Sequence, residues 1–181
     1  MTRGSFINTC LAITLLPFSY SALAEKPPNP GAAINPNAAL TSTSKPVFVQ
    51  NIAPEATDAV KVVDAFSAAL KNGKFDVVQQ YLDPKVLVLE SGGSERSRDE
   101  YMSSHAIADS LFLGKAKSQL RYRQAQAQGD VAWVGTESEL QSVENGKPLL
   151  LLSTETMLLK KTAQGWKIVH IHWSSRPVTK R

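Results

Sequence analysis

Asn145-Gly146, set between two runs rich in apolar and β-branched residues, limits the fold more than any other feature. Both residues tolerate positive φ, as the two-residue type I′ hairpin requires, so the flanking runs return on each other as antiparallel strands. Gly129-Asp130 before the pair and Ala163-Gln164-Gly165 after it add two more turns. Four strands are expected, over residues 117–127, 131–143, 149–161 and 166–174. Along each of them, residues two apart share a face.

The preceding stretch has helical spacing. Thr57 and Asp58 suit a helix start, Val60, Val63, Phe66 and Leu70 form one apolar stripe, and Gly73 suits the stop. A shorter helix over Phe75–Tyr81 ends before Asp83-Pro84, because the residue before a proline avoids helical dihedrals. Residues 86–90 read as a short strand broken by Gly92-Gly93. Ser97 and Glu100 fit a capping box for a third helix reaching Phe112, with Tyr101, His105 and Ala108 or Asp109 along one side. Helices followed by a meander imply an α+β domain in which a curved antiparallel sheet packs against three N-terminal helices.

Residues 1–24 read as an export signal: Arg3, an apolar stretch from Phe6 through Leu16, and Ala22-Leu23-Ala24 as a cleavage site. A periplasmic or secreted protein is expected, with no stable membrane insertion once the leader is removed. Cys10, the only cysteine, would leave with it, so neither a disulfide nor a thiol nucleophile is expected. Residues 25–53, with Pro27, Pro28, Pro30, Pro36 and Pro46, read as a disordered tether. The folded domain is expected over 54–176 and a tail over 177–181. The formal charge is +4 and the basic residues are scattered, which gives no support to a nucleic acid partner. No cofactor is expected, since Gly92-Gly93 lacks the rest of a phosphate loop.

Several short motifs follow one another in a familiar order: Asn72-Gly73 with Phe75, Tyr81-x-Asp83-Pro84, Glu90, His105, Gly129-Asp130 and Asn145-Gly146-Lys147-Pro148. Ser153-x-Glu155-Thr156 comes next, and the segment from Gly165 to Ser174, W-x-x-V-H-x-H-x-S at its heart, is the most specific. Over residues 57–176 the pattern resembles the NTF2-like (SnoaL-like) superfamily of cone-shaped domains. Within it, the pattern is similar to the association (hub) domain of calcium/calmodulin-dependent protein kinase II. The resemblance implies a ligand pocket between the helices and the concave face of the sheet. It matches the hub pocket histidine to His105 and the three hub arginines to Ser138, Met157 and Trp173, so all three basic groups are missing.

Glu90 is expected to face the cavity and orient His105, the two together forming an acid–base pair. Tyr101, one helical turn before His105, and Ser138, Met157 and Trp173 complete the expected ligand-binding set. With an indole and a thioether in place of arginines, the ligand is expected to be small and apolar or uncharged. His170 and His172 share a strand face, a spacing that suits a metal. By alternation, however, Trp166 and Ile168 lie on their side while Val169, Ile171 and Trp173 lie on the other, so no metal site is expected. Three functions follow: a binder of a small molecule in the cone pocket, a cavity enzyme of isomerase or hydratase type, and a homo-oligomeric assembly module.

Overall fold

The computed structural model describes residues 48–178; the expected leader, most of the expected tether and the last three residues lie outside them. The order of elements is β1 (Val49–Ile52), a 3-10 turn (Pro54–Ala56), α1 (Thr57–Lys71), α2 (Phe75–Tyr81), β2 (Leu82–Glu90), β3 (Gly93–Glu95), α3 (Arg98–Ser103) and α4 (His105–Lys115). The meander follows as β4 (Lys117–Gln128), β5 (Val131–Glu144), β6 (Lys147–Thr162) and β7 (Gly165–Pro177). The strands form one sheet in the order β1-β4-β5-β6-β7-β2-β3.

The meander follows the turn chemistry. Asn145 at φ 49° and Gly146 at φ 75° both adopt the left-handed region that the hairpin needs. The flanks of the sheet depart from the antiparallel expectation. β2 runs parallel to β7, and β1 runs parallel to β4, so the sheet is mixed. Parallel pairs need long connections; the four helices with β2 and β3 link β1 to β4, and β3, α3, α4 and the strands β4 to β6 link β2 to β7. β1 also lies within residues expected to be tether, where Val49–Ile52 adds an edge strand in spite of the prolines upstream.

The helices bury the stripes read from the sequence. On α1, Val60, Val63, Phe66 and Leu70 are buried. α1 starts at Thr57 as expected, with Pro54–Ala56 forming a 3-10 turn ahead of it and the Thr57 hydroxyl donating to the Pro54 carbonyl at 2.8 Å. The Ser97 half of the capping box forms, with the Glu100 N–H donating to Ser97 Oγ at 3.1 Å, while the Glu100 carboxylate reaches one residue further back and accepts from the Arg96 N–H at 2.7 Å. The third helix is not continuous. Ser104, at φ −147° and ψ −64°, breaks it into α3 and α4 and places His105 at the start of a new helix.

Irregular pairing bends the sheet at three places: in β2 between Leu82 and Leu87, in β4 at Arg121, and in β7 at Val169. An extra residue in one strand reverses its inside–outside alternation from that point on. In β7 the bulge places Trp166, Ile168, Ile171 and Trp173 all on the concave side and turns His170 and His172 away. This corrects the expectation that Trp166 and Ile168 side with the histidines. Phe66, Tyr101, Met157, Ile168 and Ile171 fill the closed end between helices and sheet.

Met157 is fully buried in that core. Met157→Ala should therefore cost about 2–5 kcal/mol, the range for emptying a packed core site, as measured by denaturant unfolding.

Candidate functional site

Helices and sheet diverge beyond the filled end and enclose a cavity of about 260 Å³. Phe66 and Leu70 of α1 and Phe112 and Leu113 of α4 line its helical side. The sheet side is built on one row of directly opposed residues. Arg123 of β4 faces Thr136 of β5, Thr136 faces Glu155 of β6, Glu155 faces Trp173 of β7, and Trp173 faces Glu90 of β2. Opposed residues lie on the same face of a sheet, and all five line the cavity. Ser138 and Ser153, opposed to each other, add hydroxyls nearby on the same wall.

Each group in the row is conditioned by its neighbours. Burial pushes the Glu90 carboxyl up from 4.5 to about 7; the charges of Asp109 and Glu95 add to this and His105 opposes it. Burial also raises Asp109, against the hydrogen bond that Tyr101 Oη donates to its Oδ2 at 2.9 Å. Tyr101, itself buried, is driven far above the usual phenol range, first by burial and then by the Asp109 charge, so it stays a proton donor. Its ring lies 6.2 Å from that of Trp173, tilted by 46°. Trp173 Nε1 donates to Glu155 Oε2 at 2.8 Å. Burial raises Glu155, against that bond and the charge of Arg123. Arg123 Nη1 donates to Asp64 Oδ1 of α1 at 2.6 Å, which ties the far end of the row to a helix.

The expected site residues separate into two groups. Glu90, Trp173 and Ser138 lie on the cavity wall. His105, Tyr101 and Met157 do not. His105 Nδ1 pairs with Glu95 Oε1, and that carboxylate takes the partner role expected of Glu90. A carboxylate can only accept, so Nδ1 carries the proton in this pair. Glu90 is a charged neighbour of His105 rather than its hydrogen-bonded partner. Tyr101 acts from behind the wall through Asp109. Met157, two residues along β6 from Glu155 on the same face, falls in the filled part of the cone and not in its opening, a correction to its expected role as a ligand contact.

Asp109, Glu155, Thr136 and Arg123 join the site without having been assigned to it from the sequence. Glu155 was within reach of sequence reading, since a strand face that holds Met157 also holds its i−2 neighbour. Arg123 was hidden by the bulge at Arg121, which reverses the alternation of β4. It supplies a basic group to the cavity from a strand where the hub resemblance implied none. Among the described residues no group of three or more His, Cys, Asp or Glu side chains is placed to hold a metal ion. The His170 Nδ1–H donates to the Leu87 carbonyl at 2.9 Å, and His172 is exposed.

Comparison with known proteins agrees with this architecture. The sequence profile of the SnoaL-like domain matches residues 60–179. A candidate ketosteroid isomerase from Shewanella frigidimarina is 34% identical, with a TM-score of 0.63 over 68% of this chain and 99% of that one. The hub of calcium/calmodulin-dependent protein kinase II from S. rosetta is 26% identical, with a TM-score of 0.59 over 68% of this chain and 98% of that one. A candidate NTF2-like dehydratase from Streptomyces avermitilis, at 19% identity and a TM-score of 0.54 over 70% of this chain and 97% of that one, shares the fold. No curated protein matches the chain.

The raised Glu90 pKa links protonation to stability. The folded protein holds this proton more tightly than the unfolded chain. Stability from the group is complete below about pH 4.5 and is lost as pH rises through about 7. Thermal unfolding across that window should show wild-type stability declining with pH and the decline shallower in Glu90→Gln, which has no carboxyl to ionise.

Proposed function

The chain belongs to the SnoaL-like domain family, and on that premise we propose a cavity enzyme of isomerase or dehydratase type that uses Glu90 as its base. The substrate class is a small, mainly apolar, uncharged molecule. The observation that carries this reading is the convergence of Glu90 with Asp109 on a cavity whose helical wall is aromatic and aliphatic. A base works best when its pKa lies near the working pH, and burial holds Glu90 at about 7.

Glu90 takes a proton from a carbon of the bound molecule, and the electron pair of that C–H bond shifts into the substrate. Proton uptake by Glu90 also relieves its repulsion with Asp109. Return of the proton to a second carbon completes an isomerisation. Expulsion of a hydroxyl group, which leaves as water with that proton, completes a dehydration. Trp173 and Phe112 supply flat, dry surface for the conjugated intermediate. Tyr101 keeps Asp109 oriented beside the base.

A non-catalytic binder of the same class of molecule shares every contact except the proton transfer, and the largely apolar helical wall favours it. Likeness to the hub domain supports self-association into a dimer or larger homo-oligomer, through the outward face of the sheet that carries Trp133 and Leu158. The Arg3-led apolar start of the chain supports export to the periplasm or beyond. Among the described residues no helix is long and apolar enough to cross a membrane.

Deuterium exchange separates enzyme from binder. In D2O, the wild-type protein should accelerate uptake of deuterium into a panel of small neutral carbon acids: ketones, esters and nitroalkanes. Glu90→Gln should lose about 10²–10⁴ of that rate, the usual contribution of a positioned acid–base group. The wild-type rate should rise with pH through about 7. Binding without exchange would leave the binder.

A further inference from the structure

Two polar atoms at the β4–β5 end of the row have no hydrogen-bond partner: Arg123 Nε and Thr136 Oγ1. Both residues are more than nine-tenths buried and both line the cavity. The Thr136 hydroxyl sits close enough to Glu155 to favour its ionised form, yet closes no hydrogen bond with it. A buried donor left unpaired costs about 1–3 kcal/mol, so a ligand that accepts from these donors recovers a penalty already built into the fold. Arg123 and Thr136 are directly opposed in register, which brings their side chains onto one spot of the wall.

We propose that Arg123 and Thr136 form an anchoring subsite for a carbonyl oxygen of a neutral ligand. An sp² oxygen offers two lone pairs and no proton, which suits a donor-only Nε–H together with a hydroxyl turned to donate. The charge balance selects a neutral carbonyl over a carboxylate. The guanidinium is already paired with Asp64 at 2.6 Å, and Glu155 stands beside Thr136 in the row. At this spot an anionic ligand would meet these carboxylates, and the guanidinium that could offset them is already paired.

The subsite deepens the proton-transfer reading and rests on it for the other end of the molecule. Glu90 and Arg123 are separated by four strand spacings, about 19 Å measured along the curved sheet. Long side chains and curvature shorten that gap without closing it. The anchored oxygen is therefore remote from the carbon where Glu90 acts, and the substrate class is an elongated apolar molecule with a carbonyl at the end away from the reacting carbon.

Three probes of one shape test the subsite by ligand-observed NMR titration: acetophenone, ethylbenzene and benzoate. Wild-type protein should bind acetophenone about tenfold more tightly than ethylbenzene, the scale of a hydrogen bond to a buried donor. In Thr136→Val, an isosteric change, that preference should fall several-fold while ethylbenzene affinity holds. Arg123→Met should abolish it. If Arg123→Met fails to fold after losing Asp64, Thr136→Val decides. Equal binding of ketone and hydrocarbon, tightest binding of benzoate, no binding of any probe, or a preference that survives Thr136→Val would each overturn the subsite. Carbon-acid exchange lost only in Glu90→Gln, with no ketone preference, removes the subsite and leaves the base. A ketone preference without exchange removes the base and leaves the subsite.

Discussion

The site depends on register. One residue from each of five adjacent strands meets its neighbour directly across the sheet, from Arg123 through Thr136, Glu155 and Trp173 to Glu90. Because side chains alternate faces with a period of two, a slip of one residue in any strand would turn its member of the row outward. The bulges in β4 and β7 therefore determine the site as much as they curve the sheet. Without the extra residue at Arg121, the face carrying Leu120 and the face carrying Arg123 would be opposite ones.

The same row concentrates electrostatic cost. Glu90, Asp109 and Glu155 all resist ionisation, chiefly because burial strips water from their carboxyls. Each is also given a donor or a cation that limits the penalty: Tyr101 for Asp109, Trp173 and Arg123 for Glu155, and the nearby His105 for Glu90. A packed core under the cavity carries the stability that this arrangement gives up. Phe66, Tyr101, Met157 and Ile171 leave that end filled, while the opening above stays hollow. Functional sites commonly hold such locally unfavourable groups in place through the surrounding structure.

The helix break at Ser104 has a similar logic. An unbroken helix would carry His105 along one stripe with Tyr101. The break starts α4 at His105 instead and brings its ring to Glu95, next to the short strand β3. Tyr101 stays on α3, buried, with its hydroxyl on Asp109 of α4. Two neighbouring acid–hydrogen-bond pairs result on the helical side, where the sequence suggested a single Glu90–His105 pair.

Local chemistry in the sequence was enough for much of the architecture. Asn145-Gly146 demands positive φ, the α1 stripe demands a sheet to pack on, and Ser97 with Glu100 demands a helix start; each depends on residues only a few positions apart. The hub resemblance likewise implied Ser138 and Trp173 on the inner wall, and both line the cavity. What a strand meets across the sheet depends on residues tens of positions away, on parallel returns such as β2 beside β7, and on bulges that no local propensity marks. Partner choice for His105, the burial of Met157 below the opening and the arrival of Arg123 in the cavity were decided there, by tertiary pairing, because a single inserted residue reverses every face that follows it.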